Sequence, residues 1–329
     1  MVRLGLLGAG RIGQIHGRNA AAHPRSRLVA VADAMPAAAQ ALAAVTGAQT
    51  RGIDQMLAAP DIDALLICTP TDTHAALIEQ AARAGRAVFC EKPIDLSATR
   101  VAQALAVVEQ AGTPLMIGFN RRFDPSFAEL HRRLRDGAIG AVEIVTILSR
   151  DPAPPPVAYI ARSGGLFRDM MIHDFDMARF LLGEEPVEVQ AMGAALVDPA
   201  IGEAGDVDTA VVQLRTAAGR LCQISNSRRA TYGYDQRIEV HGATGMLRAG
   251  NHHRTTVEQA GAQGITADPV QDFFLERYAE AYRLELDAFV SAIERGAAMT
   301  PSGQDGLRAQ HLADAAALSL TEARPVRID

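Results

Sequence analysis

Leu4-Gly5-Leu6-Leu7-Gly8-Ala9-Gly10-Arg11-Ile12-Gly13 is the stretch on which the fold turns. An apolar run of strand length ends in Gly-x-Gly-x-x-Gly, and a helical pattern starts at the last glycine. Glycines in this spacing allow a tight turn, close approach of the backbone to a pyrophosphate and close helix packing, while the helix N-terminus attracts the anion. Read alone, the motif is also compatible with an ordinary glycine-rich turn. The context supplies more: Asp33 stands 20 positions after Gly13, at the end of the second apolar run, where a carboxylate can take a ribose hydroxyl. Ala34 and Met35 follow, with no cation for a 2′-phosphate, so NAD is expected rather than NADP.

Outward from this stretch, apolar runs recur at residues 28–32, 64–68, 87–90 and 115–119, separated by alanine-rich helical stretches such as 75–83 and 97–110. Continuous apolar strands alternating with helices predict an α/β, doubly wound parallel sheet, that is, a Rossmann domain, over residues 1–121. The pattern then changes. A helical stretch to residue 135 leads to an alternating strand at 142–148, a proline cluster at 151–156 that reads as a loop, and a helix over 166–182. Period-two strands follow at 187–192, 209–215, 221–225 and 237–241, then helices near 273–295 and 306–323. Residues 122–329 therefore read as an α+β domain with a mostly antiparallel sheet.

The chain has 329 residues, enough for two domains, and 48% hydrophobic against 21% charged residues, which excludes a disordered protein. Its net charge of −6 argues against nucleic acid or an anionic membrane as the main partner. Three scattered cysteines, Cys68, Cys90 and Cys222, fit a reducing compartment better than a disulfide framework or zinc site. No apolar run reaches the roughly 20 residues of a membrane span, and the opening residues enter a strand without a cleavage signal, so a cytoplasmic location is expected. Of the 32 cationic side chains, Lys92 is the one lysine; the rest are arginine.

That imbalance singles out Glu91-Lys92-Pro93, at the end of the fourth apolar run. Lysine offers a compact charge, three rotatable donors and a movable pKa, properties that stabilise a developing alkoxide or tune a base and that a guanidinium lacks. Cys68-Thr69-Pro70-Thr71-Asp72-Thr73-His74 also falls at a strand's carboxyl end, where open α/β sheets bind ligands, although Thr73 equally suits a plain helix cap. Asp169 and His173 are spaced i, i+4 on the expected helix. Alone they read as a surface ion pair or as a general base with its orienting carboxylate. No set of residues has convincing metal-ligand spacing, and Arg132, Arg133 and Arg135 read as a solvated helix face.

Taken together, GLLGAGRIGQIH, CTPTDTH, FCEKPIDL, GFNRRFDPSF, GGLFRDMMIHDFDMARFLLGEEP and YGYDQRIEVHG resemble the Gfo/Idh/MocA family, on its inositol dehydrogenase branch, over essentially the whole chain. The resemblance implies an open sheet in the second domain that supports a homodimer or homotetramer. It assigns catalysis to Lys92, Asp169 and His173. The cofactor edge is assigned to Gly8, Gly10, Arg11, Ile12, Gly13, Asp33, Thr69, Pro70, Thr73, His74, Glu91, Lys92 and Asn120. Polyol contacts fall at Lys92, Asn120, Arg121, Asp151, Asp169, His173, Tyr232 and Tyr234. Some relatives carry histidine at the position of Ser149, asparagine at Asp151 and methionine at Asn120, so these positions are expected to line the pocket and set the preferred stereoisomer. The implied activity is NAD-dependent oxidation of a ring hydroxyl of a cyclic polyol, myo-inositol at carbon 2 first. The alternatives are scyllo-inositol, an aldose oxidised at its anomeric carbon, or a non-catalytic NAD-binding sensor.

Overall fold

The five apolar runs of the first third become β1 (Val2–Leu7), β2 (Ser26–Ala32), β4 (Ala64–Ile67), β5 (Ala87–Glu91) and β6 (Leu115–Gly118), and a two-residue exposed edge strand that no apolar run marks, β3 (Gln49–Thr50), joins them. They pair in parallel in the order β3-β2-β1-β4-β5-β6. Helices Arg11–Ala22, Pro36–Thr46, Thr71–Arg83 and Ala98–Ala111 connect them. Strands covered on both faces must be apolar throughout, and β4 is buried at every position. The order reverses between β1 and β4, so a crevice opens beyond their carboxyl ends.

The computed structural model describes residues 1–328 and divides them into two units by internal contacts. Met1–Phe123 and Ala281–Gln310 form one; Asp124–Glu280 and the residues from 311 onward form the other. The sequence suggested a single division after residue 121. The structure instead returns residues 281–310 to the first unit, because Leu286, Phe289 and Val290 lie on one face of the helix Ala279–Arg295 and join the core of Leu4, Leu6, Leu66 and Phe89. Phe289 meets Phe89 edge-on at 5.8 Å, and Asp287 accepts from Arg25 at 2.6 Å and contacts His23 at 3.0 Å.

In the second unit β7 (Val142–Arg150), β8 (Pro186–Ala194), β9 (Thr209–Thr216), β10 (Leu221–Ser227), β11 (Asp235–Gly242), β12 (Gly245–Ala249) and, near the chain end, β15 (Val326–Arg327) form one sheet. Its order is β12-β11-β7-β10-β9-β8-β15, with β7 and β10 parallel and the remaining pairs antiparallel. Alternation fixes its two faces: Ala210, Val212 and Leu214 of β9 are buried while Val211, Gln213 and Arg215 are exposed. Helix Ile172–Leu182 packs on β7 and β10. A separate hairpin pairs β13 (Glu258–Gly261) with β14 (Gly264–Ala267). The pattern reading missed this hairpin, whose residues are all exposed, because no apolar periodicity marks it. It also missed the helix Val157–Ser163, which starts directly after the prolines.

Candidate active site

On the first unit, the Gly8–Gly13 turn has the tightness its spacing implies. Gly8 has φ +93°, and a Cβ there would sit 2.5 Å from the Cys68 carbonyl oxygen. A Cβ on Gly13 would lie 1.9 Å from the Gly8 oxygen, so both positions admit only glycine. Gly10 differs: nothing lies within 4 Å of its Cβ direction. It caps helix Arg11–Ala22, whose first turn has no side-chain cap. An open cradle beneath uncapped helix N–H donors is the arrangement that holds a pyrophosphate. Asp33 is oriented toward the same turn, its Oδ2 accepting from Ala9 N at 2.6 Å and its Oδ1 from Met35 N at 2.7 Å. The residues present therefore fit NAD.

The next two strand ends adjoin this cradle through the sheet. Thr73 lies inside helix Thr71–Arg83, after the cap Pro70, so it is no N-cap; its hydroxyl donates to Pro70 O at 2.7 Å and lies 2.6 Å from Thr69 Oγ1. His74 is buried, with Nε2 2.7 Å from Thr69 O and Nδ1 2.8 Å from Pro93 O. Both ring nitrogens face backbone carbonyls, so His74 braces two loops at this end of the sheet. Glu91 is likewise turned inward: as the last residue of β5 it directs its carboxylate at buried His16, 2.7 Å away. Strand geometry thus sends its side chain into the helix layer, away from the strand's open end. Glu285 shares this interior, and neither of its oxygens has a hydrogen-bond partner among the described residues. Burial, with Glu91's negative charge adding to it, pushes the Glu285 carboxyl well above the usual range. Lys92 follows β5, half-buried, with a cis bond to Pro93. Asn120 and Arg121 lie on a short 3₁₀ turn, Asn120–Phe123, and both are buried.

In the second unit the helix expected over 166–182 is split into Gly165–Asp169 and Ile172–Leu182. Met171 N reaches back five residues to Leu166 O at 2.9 Å, a π-type bulge that ends the first segment. Asp169 and His173 therefore flank a break instead of sharing one regular helix face. The first segment is anchored by Asp206, which accepts from Leu166 N at 3.0–3.1 Å; a Cβ on Gly165, at φ +80°, would fall 2.6 Å from Asp206 Oδ1. Asp169 Oδ1 accepts from Tyr159 OH at 3.1 Å, and Oδ2 lies 3.5 Å from Arg228 Nη1.

Ser149, expected at the pocket wall, is completely buried. Its hydroxyl donates to Asp174 Oδ1 at 2.6 Å and lies 3.0 Å from Gln236 Oε1, while Asn226 donates to Asp174 Oδ2 at 2.9 Å. A buried carboxylate needs such partners, and Ser149 supplies one. Its effect on any ligand is thus indirect. Asp151 begins the following loop, with N–H donating to Ser227 O at 3.0 Å. Tyr234 is buried, 6.0 Å from the Tyr278 ring in an edge contact. Tyr232 exposes its ring but donates its hydroxyl to Asp235 at 2.6 Å. Burial and then that bond raise the Tyr232 phenol, while Asp235, though desolvated, is held below the usual range by Arg237, Tyr232 and Asn251.

Pattern reading passed over His16, Tyr159, Asp174, Arg228 and Asp235. Some signal existed: Asp174 and Arg228 are charges set in or beside apolar runs, MMIHDFDM and LCQISNSR. Tyr159 and His16 carried none. Among the described residues no group of His, Cys, Asp or Glu is arranged to hold a metal ion, and no helix is long and apolar enough to cross a membrane.

A 3-2-1-4-5-6 parallel sheet with a fitted dinucleotide cradle, and a second unit that holds the Asp169 carboxylate between Tyr159 and Arg228, define a nicotinamide-dependent oxidoreductase. The chain belongs to the Gfo/Idh/MocA family: residues 2–119 match its oxidoreductase NAD-binding Rossmann fold and residues 127–248 its C-terminal domain. It is 60% identical over 327 residues to inositol 2-dehydrogenase of Rhizobium meliloti, covering 99% of each chain. To myo-inositol 2-dehydrogenase of Thermotoga maritima it is 44% identical, covering 100% of this chain and 99% of that one. Among solved structures, a myo-inositol dehydrogenase from Corynebacterium glutamicum matches with TM-score 0.97 and 45% identity, covering 100% and 99%. The scyllo-inositol dehydrogenase of Lactobacillus casei with bound NAD(H) and scyllo-inositol matches with TM-score 0.93 and 30% identity, covering 99% of each chain.

Proposed function

We propose that the protein oxidises a ring hydroxyl of a cyclic polyol with NAD, taking myo-inositol at carbon 2 to the 2-keto product. The observation that carries this reading is the full-length similarity to an inositol 2-dehydrogenase, supported by the open cradle at Gly10 beneath an uncapped helix. Gly8, Gly10 and Gly13 hold the pyrophosphate, and Asp33 takes the ribose hydroxyls. When bound, NAD supplies the acceptor for the hydrogen leaving carbon with its electron pair. His173 removes the hydroxyl proton as general base, Asp169 orients the imidazole and a substrate hydroxyl, and the Lys92 ammonium stabilises negative charge on the reacting oxygen. Asn120, Arg121, Asp151, Tyr232 and Tyr234 recognise the remaining hydroxyls.

A panel of inositol isomers and aldoses, followed by NADH absorbance, tests the reading. Fastest turnover is expected on myo-inositol; scyllo-inositol or glucose in first place would replace the substrate, and tight NAD binding without turnover on any of them would leave a sensor. The outer face of the second unit's sheet, where Ile144, Met192, Val211 and Leu221 are exposed, supports self-association into a homodimer or homotetramer. Sedimentation velocity giving a monomer at micromolar concentration would contradict this. The three cysteines are free and buried, which agrees with a cytoplasmic place; export of the native chain in a fractionation experiment would overturn it.

A further inference from the structure

Arg228, directly after β10, is 1% exposed and is the largest of the fully buried side chains. Burying a guanidinium is costly unless a counter-charge accompanies it, and removing one partner of such a pair leaves the other uncompensated. Among the described residues the carboxylate that pairs with it is Asp169, with Nη1 3.5 Å from Oδ2; its Nε and Nη2 have no hydrogen-bond partner. Nearby acids are otherwise engaged. Asp208 offers Arg228 only its backbone carbonyl, at 2.8 Å from Arg228 N, while its carboxylate accepts from Leu196, Val197 and Asp198. Asp206 caps Leu166, and Asp174 is taken by Ser149 and Asn226. The guanidinium is sealed from solvent, so a substrate cannot reach it without displacing protein.

We infer that Arg228 is a positioning residue: it acts through Asp169, fixing that carboxylate as an aimed anion between the Tyr159 hydroxyl and its own Nη1, and never touches the substrate. The assignment rests on the proposed roles of Asp169 and His173. The titratable groups that touch Arg228 or Asp169, or lie on the segments that carry their partners, are Tyr159, His173, Asp174, Asp206 and Asp208, most of them acidic. Deleting the cation favours the protonated form of a base among them, so activity should begin at higher pH.

The test compares wild type, Arg228→Met, Arg228→Lys, Asp169→Asn and the double variants on myo-inositol with NAD. Arg228→Met should lower kcat about 10²-fold, the scale of a misaimed catalytic group, with NAD affinity retained and the acid limb of kcat/KM displaced upward. Arg228→Lys should restore the position of that limb and part of kcat. In the Asp169→Asn background, Arg228→Met should add little further loss, because its target is gone. Losses that multiply in the double variant, or a wild-type pH profile in Arg228→Met, would overturn the inference. Should Arg228→Met not fold, the same cycle with Arg228→Lys decides it by the same criterion. Wild type inactive on every cyclic polyol refutes the functional reading and this assignment with it; an active wild type with an unresponsive Arg228 refutes the assignment alone.

Discussion

Gly10→Ala separates the cradle's two tasks, folding and ligand binding. A methyl at Gly10 meets nothing within 4 Å, and the backbone there, at φ −69°, suits any L-residue. The folding cost is then limited to exchanging Gly for the poorer N-cap Ala, about 1 kcal/mol or less. That corresponds to a fall of roughly 2–4 °C in Tm for a unit of this size. The same methyl projects into the space where a pyrophosphate must approach the helix N–H donors. Losing one or two charge-assisted hydrogen bonds, each worth about 1.5–3 kcal/mol, weakens NAD binding by between roughly 10-fold and 10⁴-fold. Isothermal titration with NAD, beside thermal melts without it, reads both quantities. Gly13→Ala is the control with the opposite signature: its Cβ would sit 1.9 Å from the Gly8 oxygen, so it should fail by unfolding. Wild-type NAD affinity in a folded Gly10→Ala protein would refute the placement of the cofactor.

His173→Ala should lower kcat by about 10² to 10⁴ while NAD affinity stays within a few-fold; near-wild-type turnover would remove it as the base. Lys92→Arg preserves the charge, so a fall in kcat of at least about tenfold would show that the reaction needs an ammonium, and an unimpaired enzyme would make the lone lysine a compositional accident. Glu285 has a folded-state carboxyl raised above its unfolded value, so the unfolded chain loses this proton first. Stability is therefore unpenalised below the ordinary carboxylate range and declines as pH rises from there toward the elevated folded value. Glu285→Gln should raise Tm at pH 8 by a few degrees, with little change at pH 4; equal effects at both pH values would contradict the buried-acid account.

Much of the first unit was legible because its signals are local. Strand length, glycine spacing and the Asp33 offset all lie within 33 residues, and sheet order then follows from few alternatives. The edge residues divided differently. Glu91 and His74 stand beside the motif in sequence, yet their side chains serve as internal braces, to His16 and to the Thr69 and Pro93 carbonyls. In the second unit, i, i+4 spacing marked Asp169 and His173, but it presumed a regular helix that the Met171–Leu166 bond interrupts.

By itself the sequence determined the parallel nucleotide sheet, the candidate cradle and the singularity of Lys92 among the cations, since backbone freedom, apolar run length and residue choice are written locally. Tertiary structure alone decided that residues 281–310 complete the first unit, that Ser149 pairs with Asp174 inside the second, and that Asp169 is held between Tyr159 and Arg228. Asp169 and Arg228 are 59 positions apart, and no periodicity spans that distance. What joins them is burial, which forces a guanidinium removed from water to find its counter-charge wherever the fold has placed one.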